Sequence, residues 1–235
     1  MKKITIFMCV ILMALALNAQ EKKMFIHQKG GGVAEYTVAN VDSITFGVSD
    51  TEQGVWINGL YWAKCNVNTP GTFAPTPYHK GMFYKWNNKV GWTCTDPLKN
   101  SDYGEVWDAT YYYADKWEEE NDPCPLGWRV PTKAEFESLV TAANKFYEEE
   151  NVISGWFFGS TKQLFLPVAG HREVGGILAQ TNTSNGRGHY WSSTFRGVPP
   201  ADYEAYQLYF YFNGVWADNE FYNISGAKNV RCVKK

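Results

Sequence analysis

Large aromatic side chains are the feature that most limits how this chain can fold. Its 235 residues include 10 tryptophans, 15 tyrosines and 14 phenylalanines, which make up 17% of the sequence. Such rings pack well on pleated strands and in loops, and they exceed what a helical bundle usually holds. All ten tryptophans lie between Trp56 and Trp216. This distribution predicts a main domain at residues 55–235, with a core large enough to fold without metals.

The overall charge argues against two classes of partner. Hydrophobic residues make up 45% of the chain and the formal net charge is −2. Disorder requires low hydrophobicity together with high net charge, so the composition predicts a folded protein. A nearly neutral chain also exerts no long-range attraction on nucleic acid or on an anionic membrane surface.

The first residues are typical of a secretory signal. Lys2 and Lys3 precede an apolar run from Ile4 to Leu17, and Ala19 is a small residue suited to cleavage. The run is too short for a confident membrane span. We therefore expect residues 1–19 to be a cleaved signal peptide. The protein would then be exported, without a membrane span, to the periplasm, the cell surface or the medium.

If the chain is exported, its cysteines can form disulfides. Cys9 lies inside the predicted signal, which leaves Cys65, Cys94, Cys124 and Cys232. An even number in an exported chain suggests disulfides, with three possible connectivities, and the alternative is free buried thiols. The spacings do not match those of a zinc site.

The region before the main domain predicts a small β unit at residues 20–47. Met24–Gln28 and Val33–Val38 resemble strands on either side of a glycine-rich turn, and Val41–Phe46 is a third candidate. Residues 48–54 are polar and are predicted to be a linker.

The main domain contains signals for one firm helix and several strands. Thr132 and Glu135 have the spacing of a capping box, and the apolar spacing from Phe136 to Ala143 predicts a helix ending near Tyr147. A short second helix is expected at 115–120. Strands are expected at 164–169 (with Pro167 favouring an edge), 190–194, 206–212 and 229–233, and Asn213-Gly214 signals a hairpin turn. These elements predict the α+β class.

Four segments in order resemble a known family. They are CPLGWRVPT at 124–132, LPVAGHR at 166–172, YWSST at 190–194 and VRCV at 230–233. Together they are similar to the Fibrobacter succinogenes major paralogous domain of exported Bacteroidetes proteins. That family resembles the C-type-lectin-like fold and, more distantly, the formylglycine-generating enzymes. The resemblance covers about 55–233 and implies a C-type-lectin-like domain of mainly antiparallel strands with one or two helices.

The resemblance also implies particular residues. It implies that the chain ends pair as strands, that Cys124 bonds to Cys232, and that Cys65 bonds to Cys94. It places ligands on loops between the last strands. The residues of that face would be Arg196, Tyr203, Trp216, Asp218, Asn219, Phe221 and Tyr222, with Arg187 and His189 beside them. Trp128 and Trp191 are expected in the core. For Trp216 and Phe221, the alternative to a place on the ligand face is a place in the core.

Evidence for catalysis is weak in the sequence. His171, Glu173 and His189 could form a metal or acid–base site, or be ordinary loop residues. Formylglycine-generating enzymes need a close pair of cysteines that this chain lacks, and the calcium-binding motifs of C-type lectins are also absent. No cofactor is expected. Asp42-Ser43-Ile44 resembles the O-glycosylation pattern of exported Bacteroidetes proteins, which makes Ser43 a candidate.

The sequence thus favours an exported, non-enzymatic binding or adhesion module for a glycan or a protein ligand. One alternative is a structural subunit of a surface assembly, similar to a fimbrial tip, which attaches through residues 24–46. The other is a metal-dependent enzyme related to the formylglycine-generating enzymes. Fold alone does not choose among them, because function depends on the site.

Overall fold

The computed structural model describes residues 22–27, 31–40, 53–102, 106–110, 113–147, 153–181, 186–198, 202–217 and 221–235. The chain divides into two compact units, 1–47 and 48–235. The predicted signal peptide, the strand at 41–46 and Ser43 lie outside the described residues, as do Asp218, Asn219 and most of the linker.

The described part of the first unit is a β-hairpin. Strand β1 (Lys23–His27) pairs antiparallel with β2 (Val33–Thr37), and a 3-10 turn follows at Val38–Asn40. Lys23 and Glu35 form an ion pair across the two strands. Both strands carry apolar side chains that are exposed.

The second unit consists mainly of short strands. In chain order its described strands are β3 (Gly54–Ile57), β4 (Leu60–Ala63), β5 (Met82–Lys85), β6 (Gly91–Thr93), β7 (Trp128–Arg129), β8 (Ala143–Tyr147), β9 (Gly155–Phe158), β10 (Leu164–Pro167), β11 (His171–Arg172), β12 (Leu178–Ala179), β13 (Gly188–Phe195), β14 (Glu204–Tyr211), β15 (Gly214–Trp216), β16 (Phe221–Asn223), β17 (Ala227–Lys228) and β18 (Val233–Lys234). They form four sheets in this part of the chain, with the orders β3-β4-β18-β7, β12-β11-β17-β5-β6, β10-β9-β8 and β13-β14-β15, where β16 also pairs with β14.

The predicted α+β class, with its C-type-lectin-like arrangement, is wrong. Strands make up 42% of the structure and helices 8%. The described residues contain one α-helix, α1 (Lys133–Val140), which begins at the predicted capping box. It ends at Val140 rather than near Tyr147, because β8 pairs with β9 from Ala143 onward. The expected second helix is reduced to a single 3-10 turn at Glu119–Asn121.

The spacing of Thr132 and Glu135 at the start of α1 has a clear physical role. The Thr132 hydroxyl accepts a hydrogen bond from the Glu135 amide at 3.3 Å, and Glu135 accepts one from the Thr132 amide at 2.7 Å. Arg129 donates to the same carboxylate at 2.8 Å. The amides that a helix leaves unpaired at its first turn are thereby partly satisfied.

Tryptophans fill much of the core. The indole N–H groups of Trp86 and Trp191 have carbonyl partners, whereas that of Trp62 has none among the described residues. Trp62, Trp86 and Trp191 are fully buried, and Trp128 is nearly so. Trp191 donates to the Tyr84 carbonyl at 2.8 Å, and Trp86 donates to the Ser192 carbonyl at 2.9 Å. Because a buried N–H without a partner is costly, these bonds make the rings suitable for a core.

The structure contains the disulfide between Cys124 and Cys232 that the resemblance implied. The second implied pair is not formed: Cys65 and Cys94 are both free thiols. Cys94 packs against a separate apolar cluster around Phe83. Burial raises the pKa of both free thiols, which disfavours the reactive thiolate.

Candidate functional site

One cavity of about 390 Å³ collects several predicted functional residues. It opens where β11, β13, β14 and β16 approach one another, and we call it the His171 pocket. Its lining residues are His171, Glu173, Gln180, Arg187, His189, Gln207, Tyr209, Phe221 and Tyr222. A volume of this size lies within the roughly 300–1,000 Å³ typical of small-molecule sites.

The local strand pattern explains how the pocket is lined. Leu208 and Phe210 of β14 point into the core, whereas Tyr209 and Tyr211 lie on the opposite, partly exposed face. Alternation along a strand produces this division. The antiparallel register places His189 of β13 directly opposite Tyr209. Gln207 is buried on the same strand, next to the pocket.

The pocket unites only part of the predicted ligand face. Arg187, His189, Phe221 and Tyr222 line it, and so do His171 and Glu173 from the possible metal site. The sequence analysis missed Gln180, Gln207 and Tyr209. A glutamine inside an otherwise apolar strand was the available signal for Gln207.

The other described residues of the predicted ligand face lie outside the pocket lining. Arg196 stacks on the Phe221 ring, with its guanidinium carbon 3.5 Å from the ring centroid, and it is paired with Glu204. Trp216 stacks on Tyr211 at 5.3 Å between centroids and is only half-buried. Tyr203 packs against the second apolar cluster of the core.

Two neutral histidines form the inner wall of the pocket. The rings of His171 and His189 are 4.4 Å apart between centroids. Burial, followed by the charge of Lys228, lowers the pKa of His171 to about 3 and that of His189 well below its usual value. Both rings are therefore uncharged at neutral pH.

Hydrogen bonds hold the His189 ring on both sides. Its Nδ1 lies 3.0 Å from Oε1 of Gln207, and its Nε2 lies 2.8 Å from Oε1 of Gln180. A neutral imidazole has one donor and one acceptor, so one glutamine must turn its NH₂ group toward the ring. With both nitrogens engaged, His189 is suited to supporting the pocket rather than to transferring protons.

His171 has a different environment. Its side chain is 2% exposed, and neither ring nitrogen has a hydrogen-bond partner within the described residues. A buried polar group without a partner costs about 1–3 kcal/mol. Both nitrogens are themselves buried, so the ring forms part of the pocket wall without offering a polar atom to a ligand in this conformation.

Arg187 supplies the positive charge at the pocket. Its guanidinium carbon lies 5.6 Å from the Tyr209 ring centroid and 5.7 Å from that of Tyr211. No ion pair to Arg187 is present in the described part of the chain. A guanidinium laid over aromatic rings retains N–H donors in a planar fork, which matches a carboxylate.

The described residues contain no group of three metal-ligating side chains able to hold an ion. His171, Glu173 and His189 line one pocket without forming such a group. The arrangement favours hydrogen bonding and charge pairing with a bound molecule.

No protein-family model, curated protein or solved structure matches this chain. In the part of the chain that the structure describes, none of the helices is both long and apolar enough to cross a membrane. The observations that bear on function are therefore those of the pocket itself and of the four sequence segments described above.

Proposed function

We propose that this protein is an exported, non-enzymatic binding module that holds a carboxylated glycan in the His171 pocket. The observation that carries the proposal is Arg187, a guanidinium at this pocket that has no carboxylate partner among the described residues. A carboxylate on Arg187 would form two parallel charge-assisted hydrogen bonds.

The aromatic rings beside Arg187 favour a ligand that itself contains a ring. Trp216 stacks on Tyr209 and on Tyr211 with interplanar angles of 29° and 26°, and the two tyrosine rings are inclined to each other by 45°. This cluster of rings offers an apolar surface next to the charge, and aromatic and arginine side chains are enriched at binding surfaces. A sugar ring that bears a carboxylate fits this combination.

Export is supported by two independent features. The first residues have the pattern of a secretory signal. The Cys124–Cys232 disulfide is of the kind that persists in oxidising compartments outside the cytosol. Both features agree with a ligand encountered at or beyond the cell surface.

Substitution of Arg187 tests the glycan proposal. We expect the full chain to bind uronic-acid oligosaccharides on a glycan array, and Arg187→Ala to weaken that binding at least tenfold because the charge pair is lost. Arg187→Lys should retain part of the affinity, since it keeps the charge without the planar fork. Binding should fall with added salt.

Arg196→Ala is the matched control for this measurement. Arg196 is also an arginine on an aromatic ring, but Glu204 already pairs with it and it lies outside the pocket lining. Its replacement should leave binding within twofold of the wild type. Equal losses in the two variants, or an array without acidic ligands, would contradict the proposal.

The N-terminal hairpin favours a second function, attachment to a surface assembly. Phe25, Ile26, Val33 and Tyr36 are exposed on β1 and β2. A two-stranded sheet is marginally stable alone, and within the described residues the outer edges of β1 and β2 have no strand partner. Such edges are templates for strand addition. A structural subunit could use this hairpin to join a partner strand.

Introducing charged residues on the hairpin tests this second function. Ile26→Lys with Val33→Lys should prevent incorporation into surface assemblies, because lysines on exposed strands oppose strand addition. Uronic-acid binding should be unchanged, since the pocket belongs to the other unit. Cell-surface fractionation and immunoblotting provide the readout, and unchanged surface levels would exclude attachment through β1 and β2.

A further inference from the structure

A second cavity, larger than the His171 pocket, lies elsewhere in the 48–235 unit. It has a volume of about 620 Å³, and we call it the Trp56 groove. It is formed by the β3–β4 turn, the end of α1, the start of β8 and the turn between β9 and β10. Its lining residues are Trp56, Ile57, Asn58, Thr141, Ala142, Ala143, Asn144, Gly159, Ser160 and Gln163. The two cavities share no lining residue.

Trp56 differs from the buried tryptophans of the core. It is 67% exposed although it lies on a strand. Its ring contacts Tyr61 at 5.1 Å between centroids, and Tyr61 in turn stacks on the buried Trp128 at 5.6 Å. The indole is thus supported by a row of rings and offers an apolar surface beside a groove. An exposed, braced aromatic ring loses little conformational freedom when a ligand covers it.

Neutral polar groups complete the groove. Asn58 donates through Nδ2 to the Ser138 carbonyl at 2.8 Å and to Thr141 Oγ1 at 3.0 Å. Asn144 donates through Nδ2 to the Gly159 carbonyl at 2.9 Å. No hydrogen bond to the side-chain oxygen of Asn58 or Asn144 is present within the described residues. These anchored amides keep an acceptor available for a ligand hydroxyl.

The backbone turn at Gly159 determines where Gln163 lies in the wall of the Trp56 groove. Gly159 has a φ of 84°, and a Cβ placed there would lie 2.0 Å from Oε1 of Gln163. The same oxygen accepts a hydrogen bond from the Thr161 amide at 3.2 Å. The Gln163 side chain therefore lies against the turn, which leaves its NH₂ group as a donor toward a bound molecule.

From this geometry we propose that the Trp56 groove is a second carbohydrate site, specific for a neutral saccharide. One sugar ring would stack on the Trp56 indole, and its hydroxyls would bond to the amides of Asn144 and Gln163. No charged side chain is among the lining residues, so an acidic sugar would gain no ion pair there. A peptide would find few apolar contacts, because beyond Trp56 the apolar lining is limited to Ile57 and two alanines.

Calorimetry on the full chain tests this site. The probes are five neutral hexasaccharides: cellohexaose, xylohexaose, mannohexaose, laminarihexaose and chitohexaose. We expect binding of at least one, and a loss of affinity of at least tenfold in Trp56→Ala. Asn144→Ala and Gln163→Ala should each weaken binding severalfold, because each removes one hydroxyl partner. Their thermal unfolding should match that of the wild type, since all three side chains are exposed.

Trp216→Ala is the matched control, an aromatic substitution outside the groove. It should leave hexasaccharide binding unchanged. Arg187→Ala should also leave it unchanged, so that a failure of the His171 pocket proposal can be told apart from a failure of the Trp56 groove proposal. The proposal is overturned if none of the five sugars binds. It is also overturned if Trp56→Ala binds as the wild type does, or if Trp216→Ala loses as much affinity as Trp56→Ala.

Discussion

Replacing both Cys124 and Cys232 by alanine should lower the free energy of unfolding by about 4–5 kcal/mol. The disulfide joins residues separated by 108 positions, so it removes many conformations from the unfolded chain. It also connects the segment before β7 to the residue that precedes the last strand, β18, which pairs with β7. Urea unfolding of the oxidised wild type and of the double variant measures the difference.

The free thiols provide the control. Replacing Cys65 and Cys94 by serine should change the free energy of unfolding by less than about 1 kcal/mol, since both are half-buried and neither is cross-linked. Peptide mapping without reductant should recover Cys124 bonded to Cys232. A peptide joining Cys65 to Cys94, or an equal loss of stability in both double variants, would contradict the structure.

Local sequence rules predicted individual elements better than their assembly. The capping box located the start of α1, and the alternation at 206–212 predicted most of β14, which spans Glu204–Tyr211. The hairpin turn is shifted by one residue from the prediction, because Tyr211 pairs with Gly214 and leaves Phe212 and Asn213 in the turn. Phe212 is consequently 61% exposed instead of lying on the apolar face.

The fold class could not be derived in the same way. Several strands contain only two or three residues, and these pair through contacts between distant parts of the chain, such as Val233 with Trp62. Segments this short carry no periodic signal of their own. Residues 143–147 continue the apolar spacing of α1, but pairing with β9 determines their strand conformation.

The candidate site was partly visible in the sequence because aromatic and charged residues cluster after Thr194. Its interior was visible only in part. A site shared by His171 and His189 was one of the two interpretations of these residues, whereas Gln180 and Gln207 become partners of His189 only through the packing of the strands. The structure was also needed to tell which arginine is available to a ligand. Glu204 forms an ion pair with Arg196, whereas no described residue forms one with Arg187.

The His171 pocket has a further consequence, a sensitivity of the fold to acid. Burial, Lys228 and Arg187 lower the pKa of His171 from 6.5 to about 3, so the folded protein leaves this ring neutral. The unfolded chain takes up a proton below pH 6.5. Stability is therefore complete above pH 6.5 and falls as the pH decreases toward 3, by about 1.4 kcal/mol per pH unit. His189, whose pKa is also lowered by burial, acts in the same direction.

Comparison of wild type with His171→Phe isolates this contribution from the carboxylates that titrate in the same range. From pH 7 to pH 5 the wild type should lose about 2 kcal/mol more than the variant, because phenylalanine binds no proton in either state. At pH 7 the variant should be about as stable as the wild type, since it removes two buried nitrogens that lack partners. If the free energy of unfolding, measured with urea, changed equally with pH in the wild type and in His171→Phe, His171 would not be buried as a neutral ring.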